Sequence, residues 1–334
     1  MTFLKNNNAK NANVSKAAIA LAAAVPAAVS YAAAVQVFKF GFNRYEGKNY
    51  WYGGEIKNAP YADRVNSAMN WIRSQDLKKV MIRSNDRLRL VARILECDAP
   101  RGVIILMHGY HSCAIHDFSC AVEYYHNLGF NLIMPDHRAH GDSDGKYITF
   151  GIKEKDDCRI WAEFAARRYK GLPILLDGMS MGASTVMLAA GGKLPDAVSG
   201  IIADCGYSSP MEICKHILKT RMNIPPALVL PLAKKIAEHR ADIKFEDGDV
   251  GRALIRNTKP LLIIHGEADD FVPVRMTDSN AESAKNCDLT VIKVPKADHG
   301  MSFITDETKV KAVLEWFLDK CINNYKKQAN STNA

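Results

Sequence analysis

The chain has 334 residues, 48% of them hydrophobic and 24% charged, with a net charge of +8. That is enough apolar material for one large α/β domain with appendages, and it excludes a disordered or fibrous chain. Five of the positive charges (Lys5, Lys10, Lys16, Lys326 and Lys327) sit in two acid-free ends. No basic stripe interleaved with aromatics lies between those ends, so no nucleic acid partner is expected.

Ala17–Phe38, "AAIALAAAVPAAVSYAAAVQVF", holds no charge over 22 positions. A helix of that length reaches about 33 Å, enough to cross a bilayer. An uncleaved membrane anchor, kinked in its middle by Pro26, is the first expectation, a cleaved signal peptide ending near Ala32–Ala34 and hence a secreted protein the second, and an ordinary soluble Ala-rich helix packed on the domain the third. Lysines and arginines flank both sides, so charge leaves the orientation open. Residues 39–57, rich in aromatics and glycine, read as a linker at a membrane surface. The expected domains are 1–45 as N-terminus plus anchor or signal segment, 46–325 as the catalytic domain, and 326–334 as a polar tail. The Asn-rich ends, 6–13 and 323–334, read as disordered.

"YADRVNSAMNWIRSQ" has apolar residues at helical spacing. "KKVMIRS" and "LRLVARILEC" flank Asn85-Asp86 as a hairpin. Unbroken apolar runs follow at 102–108, 130–136, 172–178, 198–204, 260–266 and 289–295, as expected of strands buried on both faces of a parallel sheet. Helical patterns separate them at 117–128, 153–169, 181–190, 277–285 and 307–323. The alternation predicts an α/β fold, a mostly parallel doubly wound sheet with helices on both faces. From Tyr207 to Asn257 no strand pattern occurs, and the amphipathic stretch interrupted by Pro225-Pro226 and Pro231 reads as a helical lid insertion. The eight cysteines form no C-x-x-C pair, and several lie in apolar runs such as "IIADCGY", where a reduced cysteine acts as a small hydrophobe.

"GMSMG" (178–182) is G-x-S-x-G between a strand run and a helix pattern. A serine on that bend sits at a helix N-terminus, where a developing oxyanion is favoured. A phosphate loop needs a different spacing, which is absent. A nucleophilic serine needs a base, and the base an orienting acid. Downstream strand ends supply Asp269 or Asp270 in "HGEADDFVP" and His299 in "KADHGMSF". No cofactor and no metal is expected.

With these motifs over roughly 80–325 the chain resembles the α/β-hydrolase superfamily, in particular bacterial serine hydrolases with an N-terminal hydrophobic segment. "MHGYHS" is similar to the family's oxyanion loop, and "PDHRAHGDSDG" to its D-x-R-G-x-G-x-S loop, with Ala139 in place of glycine. "HGEADDFVP" is similar to H-G-x-x-D-x-x-V-P, which selects Asp269. The resemblance implies Ser180 as nucleophile, His299 as base, Asp269 as acid, and the backbone N–H groups of Tyr110 and Met181 as oxyanion hole.

Competing assignments are Asp204 as the acid, His137 with Asp142 as an acyltransferase-like pair, and His111, His116 and Asp117 as a metal-like cluster in which Asp117 caps a helix. His108 is expected to order the oxyanion loop. The expected function is cleavage of a carboxylic ester, with a small-molecule or lipid-like acyl substrate and membrane contact through the N-terminal segment. Peptidase, thioesterase, lysophospholipase and acyltransferase chemistry stay open, as does a non-catalytic binding protein that keeps the fold.

Overall fold

The computed structural model describes residues 29–44 and 61–332. The helices are α1 (29–42), α2 (Ala62–Ser74), α3 (Ala114–Asp117), α4 (Ser119–Asn127), α5 (Glu154–Arg168), α6 (Met181–Ala190), α7 (Pro210–Thr220), α8 (Pro226–Ala241), α9 (Val250–Leu254), α10 (Arg275–Ser283), α11 (Ser302–Thr305) and α12 (Glu307–Thr332). The strands are β1 (Lys78–Arg83), β2 (Arg89–Leu95), β3 (Gly102–Met107), β4 (Phe130–Pro135), β5 (Ile174–Met179), β6 (Val198–Asp204), β7 (Leu261–Gly266) and β8 (Leu289–Val294). Their contacts divide the chain into two compact units: the described residues of 1–42 with 214–242, and those of 43–213 with 243–334.

The larger unit holds one sheet of eight strands in the order β1-β2-β4-β3-β5-β6-β7-β8. β1 and β2 are the expected hairpin, and β2 also pairs antiparallel with β4. All other pairs are parallel. Strand alternation explains the unbroken apolar runs. Ile104 and Leu106 of β3 enter the core beneath α2, α4 and α12, while Val103, Ile105 and Met107 enter the core beneath α5, α6 and α9. Each side chain on the central strands is therefore buried by a helix layer. No strand lies between β6 and β7 among the described residues, in line with the break in rhythm after Tyr207.

In the smaller unit, α1 buries Ala34, Phe38 and Phe42, one residue per turn. Ala34 packs with Val229 and Ala233 of α8, which starts after Pro225 with Pro226 in its first turn. Val29, Tyr31 and Phe40 face outward.

Two expectations are corrected here, the linker from 39 and the disordered reading of the stretch from 323, and the anchor is met by the described residues only in part. No helix among the described residues is long and apolar enough to cross a membrane. Of the stretch 17–38, residues 17–28 lie outside the described residues, and 29–38 belong to α1, which buries Phe38 and Phe42 on one face, exposes Tyr31 and Phe40 on others, and whose alanines offer little apolar area. The linker expected from 39 is helical through 42, and 45–57 lie outside the described residues. α12 likewise continues beyond Asn323 to Thr332. Asn and Ser have poorer helix propensity than Ala or Leu, but the difference is only a few tenths of a kcal/mol per residue, which an established helix tolerates.

Candidate functional site

Ser180 stands between β5 and α6 with φ 55° and ψ −114°. A side chain in that region of backbone space costs on the order of 1–3 kcal/mol. Its N–H donates to the Asp204 carbonyl at 2.8 Å, and its carbonyl accepts the first bond of α6 from Ser184. The bend needs glycine on both sides. A Cβ on Gly178 would meet the Gly182 carbonyl, and one on Gly182 would drive into the Met107 carbonyl of β3.

Ser180 Oγ lies 2.9 Å from His299 Nε2, and His299 Nδ1 lies 2.7 Å from Asp269 Oδ2. The three residues come from loops after β5, β8 and β7, all at the carboxyl edge of the sheet. Asp269 is buried, whereas Asp270 is exposed. Asp269 Oδ1 accepts the N–H groups of Phe271 and Val272, at 2.9 and 2.8 Å. Its Oδ2 also lies 3.2 Å from His265 Nε2. Desolvation opposes ionisation of Asp269, but hydrogen bonds from His265 and His299 and the backbone donors outweigh it and hold the carboxyl below its ordinary value. His265 is itself fixed, with Nδ1 2.6 Å from the Thr277 hydroxyl and Nε2 2.8 Å from the Val272 carbonyl.

The loop after β3 carries Tyr110. Met107 pairs with Gly178, so this loop leaves the sheet beside the Ser180 bend. The Asp117 carboxylate shapes the loop, accepting the Gly109 N–H at 2.6 Å and the Ser112 hydroxyl. Met181 is the first residue of α6, and its N–H has no partner within the helix.

The family described as "Serine aminopeptidase, S33" matches residues 98–259. The chain is 29% identical over 227 residues to the uncharacterized protein YqkD of Bacillus subtilis, covering 66% of this chain and 72% of that one. It is 28% identical over 207 residues to a monoacylglycerol lipase of Mycolicibacterium smegmatis, covering 52% and 72%. The Pyrococcus furiosus esterase Pf2001 superposes with a TM-score of 0.60 at 23% identity, over 79% of this chain and 95% of that one.

The chain has the α/β-hydrolase fold. As a hydrolase of that fold it has the eight strands and mostly parallel sheet expected from its sequence.

The other candidates of this hydrolase fall elsewhere. Asp204 is buried close to Ser180, His299 and Asp269, but its Oδ1 accepts the Ser302 hydroxyl at 3.1 Å; burial pushes its carboxyl up to about 6. His137 and Asp142 do not meet Ser180. His137 Nε2 lies 3.0 Å from the His108 carbonyl, while Asp142 pairs with Arg93 and Lys79. His111, His116 and Asp117 form no metal-ligating group among the described residues. Asp117 ends α3 instead of capping its start.

His108 joins the loop after β3 to the loop after β4. Its Nδ1–H donates to the Gly109 carbonyl at 2.7 Å, and its Nε2 accepts the His137 N–H at 3.0 Å. Burial pushes His108 and His137 each down to about 3, so both rings are neutral at physiological pH.

Sequence reasoning did not find the contacts of His265 and Cys205. His265 stands four residues before Asp269 in the quoted H-G-x-x-D motif, which was the available signal. Cys205 carried none.

Proposed function

We propose that the chain is a serine hydrolase that cleaves carboxylic esters through an acyl-enzyme on Ser180. The observation that carries this reading is the continuous chain of contacts from Ser180 Oγ through His299 to Asp269, at 2.9 and 2.7 Å. Ionised Asp269 accepts a hydrogen bond from His299 Nδ1–H, which holds the tautomer whose Nε2 lone pair faces the serine hydroxyl. His299 takes that proton as Oγ attacks the acyl carbon. The oxyanion is assigned to the N–H groups of Tyr110 and Met181. His299 then protonates the departing alkoxide, and water, activated by the same ring, releases the acid. The similarity to a monoacylglycerol lipase and to an esterase supports an acyl ester substrate.

The test is a fluorophosphonate probe with intact-mass readout. Wild type is expected to gain one phosphonyl group and Ser180→Ala none. A folded wild type that stays unlabelled defeats the reading. Turnover of a panel of acyl esters of increasing chain length, run beside an aminoacyl amide, then sets the substrate class. The amide arm addresses peptide hydrolysis, a second reading motivated by the aminopeptidase description of the matching family. If the amide turns over and no ester does, the ester assignment falls.

The N-terminus carries its own proposal, membrane anchoring through the uncharged stretch 17–38. A yeast membrane protein, YNL320W, is 21% identical over 183 residues, covering 55% of this chain and 59% of that one. Anchoring predicts that the full-length chain sediments with membranes after alkaline carbonate washing. Release into the supernatant ends that proposal.

A further inference from the structure

Cys205 follows β6 directly. It is a free thiol, fully buried, on backbone with φ 50°, a region that favours glycine. Its N–H donates to the Ile264 carbonyl of β7 at 2.9 Å, which fixes it between the two strand ends. Held in this conformation, Cys205 Sγ, a carboxylate oxygen of Asp269 and a ring nitrogen of His299 all lie within 4.8 Å of one another.

Sulfur, nitrogen and oxygen donors in this number match a tetrahedral zinc site with one position left open. The charges also balance, because one thiolate and one carboxylate offset a divalent cation and the imidazole stays neutral. A thiolate donor favours Zn²⁺ or Cd²⁺ over Mg²⁺ or Ca²⁺. His299 Nδ1 faces Asp269, so a cation held by the three groups takes the place of the Nδ1 proton.

We propose that Cys205, Asp269 and His299 form an inhibitory site for a thiophilic divalent cation, with Zn²⁺ as the test ion. Binding displaces the thiol proton to solvent and forms the sulfur–metal bond. It also moves the single imidazole proton from Nδ1 to Nε2. Nε2 then has no lone pair for the Ser180 hydroxyl, and Asp269 no longer orients the ring. No electrons are transferred, and removing the cation restores both protons. The inhibition rests on the reading of His299 and Asp269 as base and acid.

The experiment uses the full chain, freed of metal by a chelator and then titrated with Zn²⁺ in an ester assay. Wild type is expected to lose turnover at least tenfold, to recover with chelator, and to ignore Mg²⁺. Cys205→Ala, and Cys205→Gly, which suits the positive φ, each remove a direct ligand and are expected to need more Zn²⁺ for the same loss by at least the roughly tenfold that losing an outer-shell partner costs. Independently of activity, Co²⁺ is expected to give a thiolate-to-metal charge-transfer band in wild type and none in either variant. Equal Zn²⁺ sensitivity in wild type and the folded variants, or no thiolate band in wild type, overturns the proposal. Fluorophosphonate labelling of the metal-free wild type separates the two levels. Absent labelling removes the serine-hydrolase reading itself, whereas labelling that Zn²⁺ does not suppress removes only the metal site.

Discussion

Asp269→Asn is expected to lower kcat on an activated ester by about four orders of magnitude, while Asp204→Asn stays near wild type. The difference follows from the hydrogen bonds around each carboxyl. Asp269 Oδ1 accepts two backbone N–H groups, from Phe271 and Val272. In the asparagine variant the amide oxygen must remain there, because turning it away would leave both donors without an acceptor. The amide NH₂ then faces His299 Nδ1. That ring nitrogen can only accept, so the proton moves to Nε2, and the base toward Ser180 is lost. Asp204 bonds Ser302 through Oδ1, and an asparagine oxygen accepts the same hydroxyl. Ser180→Ala, which removes the nucleophile, is expected lower still, by about 10⁶-fold. Steady-state kcat and KM on one ester test the series. A crippled Asp204→Asn beside an active Asp269→Asn would transfer the acid role to β6.

Much of this was legible in the chain because the signals are local. The runs that became β3 to β7 are continuous enough to require burial on both faces, and GMSMG sits between a strand run and a helix pattern. Asp269 and His299 were recognisable because each follows a strand run directly. Contacts across strand ends were not legible. Cys205 meets the Asp269–His299 pair only because β6, β7 and β8 are adjacent, and its positive φ has no sequence signal in a cysteine. Asp117 was misread as a cap because its partner, the Gly109 N–H, lies eight residues back in a loop. The stretch 17–38 was read from its lack of charge. That property does not distinguish an apolar span from an alanine helix with one packed face, which is what α1 presents from 29 onward.

Asp177→Asn is expected to stabilise the fold at alkaline pH by up to ~4 kcal/mol. Asp177 lies in the middle of β5 and is buried, its Oδ2 accepting the Tyr125 hydroxyl at 2.8 Å. Desolvation is the main cause pushing its carboxyl from 3.8 up to about 7, with Asp204 on the neighbouring strand adding like-charge repulsion against the Tyr125 hydrogen bond. Between these two values the folded chain holds a proton that the unfolded chain has released. Stability therefore falls as pH rises through that window, and the whole penalty is present above pH 7. Asparagine accepts the same Tyr125 hydroxyl and never ionises, so it removes the penalty. The gain should be large at pH 8 and shrink toward zero near pH 4. Chemical denaturation of both proteins at pH 5 and pH 8 provides the measurement. A difference that is equal at the two pH values would mean that Asp177 is already ionised in the folded core at pH 5, and that the carboxyl contributes to packing alone.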